Sequence, residues 1–268
     1  SLSSYLQDHQ SSVKMEVIDQ GLNDDDRSWL LQRGVLIAAA PEKPTVPLPE
    51  NYRPDHNWPA FLERPYLPEM FAYDNLIWLD ADMIVQDTSA ITTLIHGCDR
   101  GWFMGVPETH PAFATDINTL LRISGWWKHL IDKYYFDPTP VVQDQFKPTE
   151  YPAHIGLSQF PIINSGLVAG SRNHPGWHQW QQSMFYALAI RQQEPIFGID
   201  QITLNHAFWS MRQDYQAMPL TQEFNWPCHR CLPMWDESQS CWVEPTLPYK
   251  PIKILHLTDN TKKDRSEE

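Results

Sequence analysis

The alternation of apolar and polar positions near the start of the chain predicts short strands joined by a helix. Residues 13–19 (Val-Lys-Met-Glu-Val-Ile-Asp) alternate as a half-buried strand does. Asn23 or Asp24 is placed to cap the helix that follows, and residues 35–39 form a second short apolar run. With a helix ending near Gln10, the order is α-β-α-β, which is typical of a parallel sheet.

Further along, Leu76-Ile77-Trp78-Leu79 is a continuous apolar run that ends at Asp80. Such a run predicts a central parallel strand that is buried on both faces. Other patterns predict strands at 102–106, 162–169 (interrupted at 164–166) and 252–257, helices at 116–135, 174–193 and 200–211, and partial helix at 61–71. Proline-bearing segments at 41–59 and 137–153 predict loops, and 224–251 predicts irregular structure. We therefore expect a single α/β domain.

Composition narrows the class of protein. The 268 residues are 42% hydrophobic, which is enough to bury a sizeable core. A net charge of −13 argues against binding a nucleic-acid backbone or anionic lipid, but a divalent cation would still allow a small anionic substrate. No apolar run approaches the length of a membrane-spanning helix, and no basic-then-apolar leader opens the chain. We expect a cytoplasmic protein, or one peripheral to a membrane.

Asp80 and Asp82 follow the apolar run directly. In open α/β sheets, ligands bind beyond the carboxyl ends of the strands. Two carboxylates one residue apart on an extended segment point to the same side and repel each other unless a cation lies between them. A hard cation such as Mn²⁺ or Mg²⁺ is therefore the predicted ligand. The alternative is a capping aspartate beside a solvated one.

Three later segments carry polar groups in or beside predicted elements. The first is His256 with Lys262, for which the structural alternative is a buried histidine followed by a solvated lysine tail. The second is Asn164-Ser165-Gly166, for which the alternative is an ordinary β-bulge. The third is Asp200-Gln201, for which the alternative is a helix cap.

The four cysteines leave open whether the chain binds zinc. Cys228, Cys231 and Cys241 lie close together and would form a zinc site only with a further ligand such as His229. The pattern has no complete set of four ligands, so reduced and partly buried thiols are the simpler interpretation.

Taken in order, these segments resemble the metal-dependent glycosyltransferases of the GT-A fold, and most closely the retaining glycosyltransferase family 8. The strand with Asp80-Ala81-Asp82 is similar to that family's Asp-x-Asp motif. The remaining matches are Asn164-Ser165-Gly166 to its Asn-x-Gly strand, Asp200-Gln201 to its Asp-Gln pair, and His256 with Lys262 to its closing His…Lys segment.

The resemblance implies a Rossmann-like GT-A domain over residues 1–262, with a mostly parallel central sheet flanked by helices, and a flexible polar tail at 263–268. It implies transfer of a hexose, with retention, from a UDP-sugar to a hydroxyl of a saccharide, glycolipid or protein. The implied metal ligands are Asp80, Asp82 and His256, and the implied catalytic pair is Asp200 and Gln201. The implied donor-binding residues are Arg64, Asp80, Ala81, Asn164, Ser165, Gly166 and Lys262.

The chain departs from the family pattern in two places. Asp259 stands where the family usually has a glycine, three residues after His256. The family's first strand, which helps hold uracil and ribose, would precede the helix ending near Gln10, and we do not find it in this chain.

Two other classes of protein remain open on the sequence. A haloacid-dehalogenase-type phosphatase also ends an apolar strand with Asp-x-Asp, where the first aspartate is the nucleophile. That fold places the motif near the N-terminus and follows it with a downstream acidic pair. A non-catalytic carbohydrate-binding protein would use some of the twelve tryptophans to stack on sugar rings, although packing is the expected role of most of them.

Overall fold

The elements of the protein are taken from a computed structural model that describes residues 13–42, 44–46, 61–113, 160–190, 198–214 and 216–258. In chain order they are β1 (Glu16–Asp19), α1 (Asp24–Leu31), β2 (Leu36–Ala39), α2 (Leu67–Met70), β3 (Asn75–Leu79), β4 (Met83–Val85), α3 (Ser89–Asp99), β5 (Phe103–Pro107), β6 (Ile163–Ser171), α4 (Pro175–Ile190), α5 (Ile199–Ser210), β7 (Ala217–Pro219), β8 (Trp226–Pro227), β9 (Met234–Asp236), β10 (Cys241–Val243) and β11 (Ile254–His256). Short 3₁₀ turns lie at Arg64–Tyr66, Pro111–Phe113, Met211–Asp214 and Gln222–Phe224.

The first unit is the predicted strand, helix and strand. Asn23 caps α1, because its side chain accepts a hydrogen bond from the backbone N–H of Asp26 at 2.8 Å. Three aspartates in the first turn of α1 add favourable charge at the positive end of the helix dipole. β1 and β2 pair in parallel, with Glu16 opposite Leu36, so this part of the sequence prediction is confirmed.

The largest described sheet has the strand order β3-β6-β5-β7 and is mixed. β6 runs antiparallel to both β3 and β5, and only β5 and β7 are parallel. The expectation of a mostly parallel central sheet is therefore wrong for the described strands, which form a mixed α/β arrangement.

β3 itself is not the central parallel strand that its apolar run predicted. Among the described strands it pairs only with β6, at the edge of the sheet. The run is apolar because both of its faces are covered. Leu76 and Trp78 belong to one core cluster, while Ile77 and Leu79 pack against another. Apolar continuity thus indicates covered faces and does not indicate how many neighbours a strand has.

Two helical layers supply those clusters. α4 and α5 pack on one face of the sheet through large buried side chains, including Trp180 and Phe208. α3 packs on the other face through Ala90, Leu94 and Cys98. The observed bounds of α4 and α5 agree closely with the predicted helices at 174–193 and 200–211.

A smaller sheet, in the order β4-β11-β8, brings residues 254–256 beside β4, the strand that follows β3. β11 pairs antiparallel with β4 and places His256 opposite Met83. The backbone N–H of Leu257 donates to the carbonyl of Asp82 at 2.9 Å. This pairing brings a histidine near the C-terminus beside the Asp-Ala-Asp segment.

Several predictions fall outside the described residues: the helix ending near Gln10, most of the 41–59 loop, the helix at 116–135, the loop at 137–153, Lys262 and the tail at 263–268. No helix in the described part of the chain has the length and apolarity needed to cross a membrane.

Candidate metal centre

Asp80 and Asp82 lie in the tight turn between β3 and β4. The amide of Asp80 continues the ladder by donating to the carbonyl of Gly166 at 2.9 Å, and the amide of Met83 closes the turn onto the carbonyl of Asp80 at 3.0 Å. The two carboxylates converge because the chain turns here. The expected extended geometry is therefore wrong, although the expected meeting of the side chains does occur.

His256 completes a group of three metal-ligand side chains. Its Nε2 lies 3.2 Å from Oδ1 of Asp82 and 3.8 Å from Oδ2 of Asp80. One ligand atom from each residue falls within 4.8 Å of the other two. Two carboxylates and one imidazole can occupy one face of an octahedral Mn²⁺ or Mg²⁺ and leave the other positions for water or phosphate oxygens. The donor set therefore fits the metal that the sequence predicted.

The other carboxylate oxygen of Asp80 contacts two donors. Its Oδ1 accepts a hydrogen bond from Nε1 of Trp78 at 2.7 Å and pairs with Nη2 of Arg64 at 2.8 Å. Oδ2 is thus directed toward His256. This orients Asp80 before any cation binds.

Arg64 links Asp80 to the first turn of α5. Its Nη1 donates to Oδ2 of Asp200 at 2.6 Å and to Oγ of Ser165 at 2.9 Å. Burial raises the pKa of Asp200, and the Arg64 guanidinium opposes that shift. Arg64 therefore bridges two carboxylates, and its contact with the donor, which the resemblance implied, stays a prediction.

The segment Asn164-Ser165-Gly166 lies directly beneath the metal-ligand group. Asn164 and Gly166 are consecutive inward positions of β6, and the partner register on β5 shifts between Gly105 and Val106. β6 is unbroken, so the predicted interruption appears only as this irregular pairing. A Cβ at Gly166 would lie 2.5 Å from Cε1 of His256, so only glycine leaves room for the imidazole.

The remaining predicted site residues differ in position. Ala81 is exposed at the tip of the turn, Asp200 is buried and Gln201 is half-buried on α5. The structure does not bring the cysteines into a group of possible zinc ligands: among the described residues, the only group of three or more is Asp80, Asp82 and His256.

Three polar residues behind the site were missed by the sequence analysis. Oδ1 of Asn225 lies 3.0 Å from Nδ1 of His256, Glu108 accepts a hydrogen bond from Asn164, and Arg230 pairs with Glu108. Asn225 and Arg230 lie in the segment predicted to be irregular, where no periodicity distinguishes one polar residue from another. Their roles depend on tertiary contacts alone.

Comparison with known proteins adds no assignment. A scan against protein-family models finds none that matches the chain, and a search of curated proteins also finds no match.

Proposed function

We propose that the protein is a metal-dependent glycosyltransferase that transfers a hexose from a UDP-sugar to an acceptor hydroxyl, with retention of configuration, on a GT-A-like domain. The observation that carries the proposal is the convergence of Asp80 and Asp82, from the β3–β4 turn, with His256 from β11. When bound, Mn²⁺ or Mg²⁺ would neutralise the diphosphate of the donor and stabilise it as a leaving group.

The proposed role of the ligand residues is to hold that cation beside a sheet edge. Asp80 is oriented for this by Trp78 and Arg64, which leave its Oδ2 directed toward His256. His256 is only 3% exposed and the two aspartates are half-buried, which limits the water that competes with phosphate oxygens.

The proposed donor-sugar side of the site is the start of α5. Asp200 is adjacent to the metal-ligand group through Arg64, and Gln201 follows it on the same turn. Their carboxylate and amide groups suit hydrogen bonds to sugar hydroxyls, and a buried carboxylate also stabilises positive charge that develops at the anomeric carbon. Lys262, which the resemblance assigns to the diphosphate, lies outside the described residues.

The test is a panel of UDP-sugars incubated with the protein and Mn²⁺, with released UDP as the readout. We expect one or two sugars to be hydrolysed, with a loss of about 10²-fold or more in Asp80→Asn and Asp82→Asn. Asp74→Asn is the matched control, because it makes the same charge change at an exposed residue just before β3.

The same panel separates the proposal from its rivals. Equal UDP release by Asp82→Asn and the unmodified protein would refute the metal assignment. Release of inorganic phosphate from a generic phosphate ester, abolished by Asp80→Asn, would support a phosphatase instead. Binding of sugars without Mn²⁺ and without turnover would support a carbohydrate-binding protein.

A carbohydrate-binding protein would use exposed tryptophans, but Trp226 is fully buried and donates to the carbonyl of Cys231 at 2.7 Å, so it is a packing residue. Trp235 and Trp242 are exposed and contact each other edge to face across β9 and β10. Trp126 and Trp127 lie outside the described residues.

A further inference from the structure

The polar side chains behind the metal centre form one hydrogen-bonded series. It runs from Arg230 through Glu108, Asn164 and Asn225 to His256. We propose that this series fixes the proton of His256 on Nδ1 and so presents Nε2 as a metal ligand, which makes Asn225 a positioning residue. The inference rests on the metal site of the proposed function and is independent of the sugar chemistry.

Glu108 determines which atoms donate and which accept hydrogen bonds along the series. Its Oε2 receives two hydrogen bonds from Arg230, at 3.1 Å from Nε and 3.0 Å from Nη2. A carboxylate paired with arginine in this way can only accept hydrogen bonds. The atom of Asn164 that lies 2.9 Å from Oε1 must therefore be its amide nitrogen.

A second group fixes Asn164 in the same orientation. The backbone N–H of Gly166 lies 2.9 Å from Oδ1 of Asn164 and can only donate. Two independent contacts thus exclude the flipped amide. Oδ1 of Asn164 also lies 3.0 Å from the side chain of Asn225, so that contact must come from Nδ2 of Asn225.

The orientation of Asn225 then decides the tautomer of His256. With Nδ2 donating to Asn164, Oδ1 of Asn225 is the atom that lies 3.0 Å from Nδ1 of His256. Since this oxygen only accepts, Nδ1 must carry the hydrogen. In the neutral ring Nε2 then holds the lone pair, and it is Nε2 that faces Asp82 and Asp80.

Asn225 is well placed to hold this geometry. It is completely buried, its N–H donates to the carbonyl of Gln222 at 3.0 Å, and its carbonyl accepts from the side chain of Gln222. A fixed partner on the far nitrogen orients a ligating imidazole and raises its basicity, and loss of such a partner typically lowers metal affinity by about 10- to 100-fold.

The test uses ¹⁵N-histidine-labelled protein and Mg²⁺ or Mn²⁺ alone, without any nucleotide-sugar. Long-range ¹H–¹⁵N spectra of the metal-free protein distinguish a ring nitrogen that carries a hydrogen from a bare one. We expect Nδ1–H at His256 in the unmodified protein and in Asn225→Asp, which keeps an acceptor facing Nδ1. We expect Asn225→Leu to lose that preference and to bind Mn²⁺ about 10-fold or more weakly in calorimetry.

Ser183→Ala is the matched control. Ser183 is buried, and its hydroxyl lies 2.8 Å from Nδ1 of His206, which is not part of the metal-ligand group. This variant also removes a buried hydrogen bond to a histidine, but it should leave both the His256 spectrum and the Mn²⁺ affinity unchanged.

The outcomes are decisive in each direction. A folded Asn225→Leu variant that keeps Nδ1–H and full Mn²⁺ affinity would overturn the inference. Should that variant fail to fold, the spectrum of the unmodified protein decides: a hydrogen on Nε2 of His256 in place of Nδ1 would equally overturn the inference. Because no sugar is present, a result that supports the series together with no UDP-sugar turnover would refute the glycosyltransferase proposal alone.

Discussion

Replacing Gly166 by alanine tests the metal centre with a single added methyl group. The new Cβ would lie 2.5 Å from Cε1 and 3.0 Å from Nδ1 of His256. Ordinary contacts between carbon atoms are about 3.5–4.0 Å, so the imidazole would have to withdraw by about 1 Å. Gly166 does not have a positive φ, so the effect comes from this contact and not from backbone strain.

A displacement of that size is large compared with the tolerance of a metal site. Coordination distances are reproduced to within about 0.2 Å, so a ring shifted by about 1 Å no longer ligates in its original position. The shift also breaks the 3.0 Å contact between Nδ1 and Asn225. We expect Mn²⁺ affinity to fall by at least about 10-fold, with an overpacking cost of about 1–3 kcal/mol in the free energy of unfolding.

Gly170→Ala separates these two effects. Gly170 lies on the same strand, and its added Cβ would meet Cδ2 of Phe103 at 2.9 Å, away from the metal-ligand residues. Calorimetry with Mn²⁺ and urea unfolding would be measured for both variants. We expect both to lose stability and only Gly166→Ala to lose metal affinity. Undiminished Mn²⁺ binding by a folded Gly166→Ala protein would show that His256 is not a ligand.

Three further predictions concern buried ionisable groups. Arg64→Met leaves Asp200 buried without its cation and should lower the free energy of unfolding by about 3–5 kcal/mol, measured in urea at neutral pH. The pKa of Asp200, already raised by burial, rises further, so the folded state binds a proton and the loss of stability should shrink as pH falls toward 4. A loss of stability that does not change with pH would show that the buried charge of Asp200 is not its cause. Burial lowers the pKa of His174, whose Nδ1 accepts from the amide of Gly176. The neutral ring therefore stabilises the folded state fully above pH 6.5, and this stabilisation is lost as pH falls below 6.5. His174→Asn should flatten the decline of the melting temperature between pH 6.5 and 5, and an unchanged slope would contradict this prediction. Burial raises the pKa of Cys98 to about 12, so iodoacetamide at pH 8 should label it, as read by mass spectrometry, only after unfolding; labelling of the native protein would contradict its burial.

The sequence predicted local elements well where one dominant signal acted. A capping asparagine at residue 23 and the apolar periodicity of α4 and α5 gave bounds close to those observed. The sheet directions were wrong because an apolar run such as β3 reports only that two faces are covered. Strand direction depends on which distant strand becomes the partner, and β6 lies more than 80 residues away.

The candidate site could also be predicted from the sequence only in part. Asp80 and Asp82 were predicted as ligands because two carboxylates directly follow an apolar run, whereas His256 was added to them only through the resemblance. Their mutual approach depends on the pairing of β4 with β11, which no local pattern predicts. Arg64 was found through the resemblance, but its role as a bridge between Asp80 and Asp200 required the positions of both carboxylates.

The register shift between β5 and β6 lies next to the residues of the candidate site. Opposite the shift, Val106 faces Asn164 while Gly105 faces Val168, so the residues between them on β6 are not matched one to one with β5. Asn164 itself is matched to Val106, and its side chain accepts from the amide of Gly166 and from Asn225. Both ends of the Asn164 amide are thus hydrogen-bonded on a buried strand, and the glycine that His256 needs stands two residues further along. Two positions on one strand thus provide what His256 needs: Gly166 leaves space for the imidazole, and Asn164 begins the hydrogen bonds that orient it through Asn225.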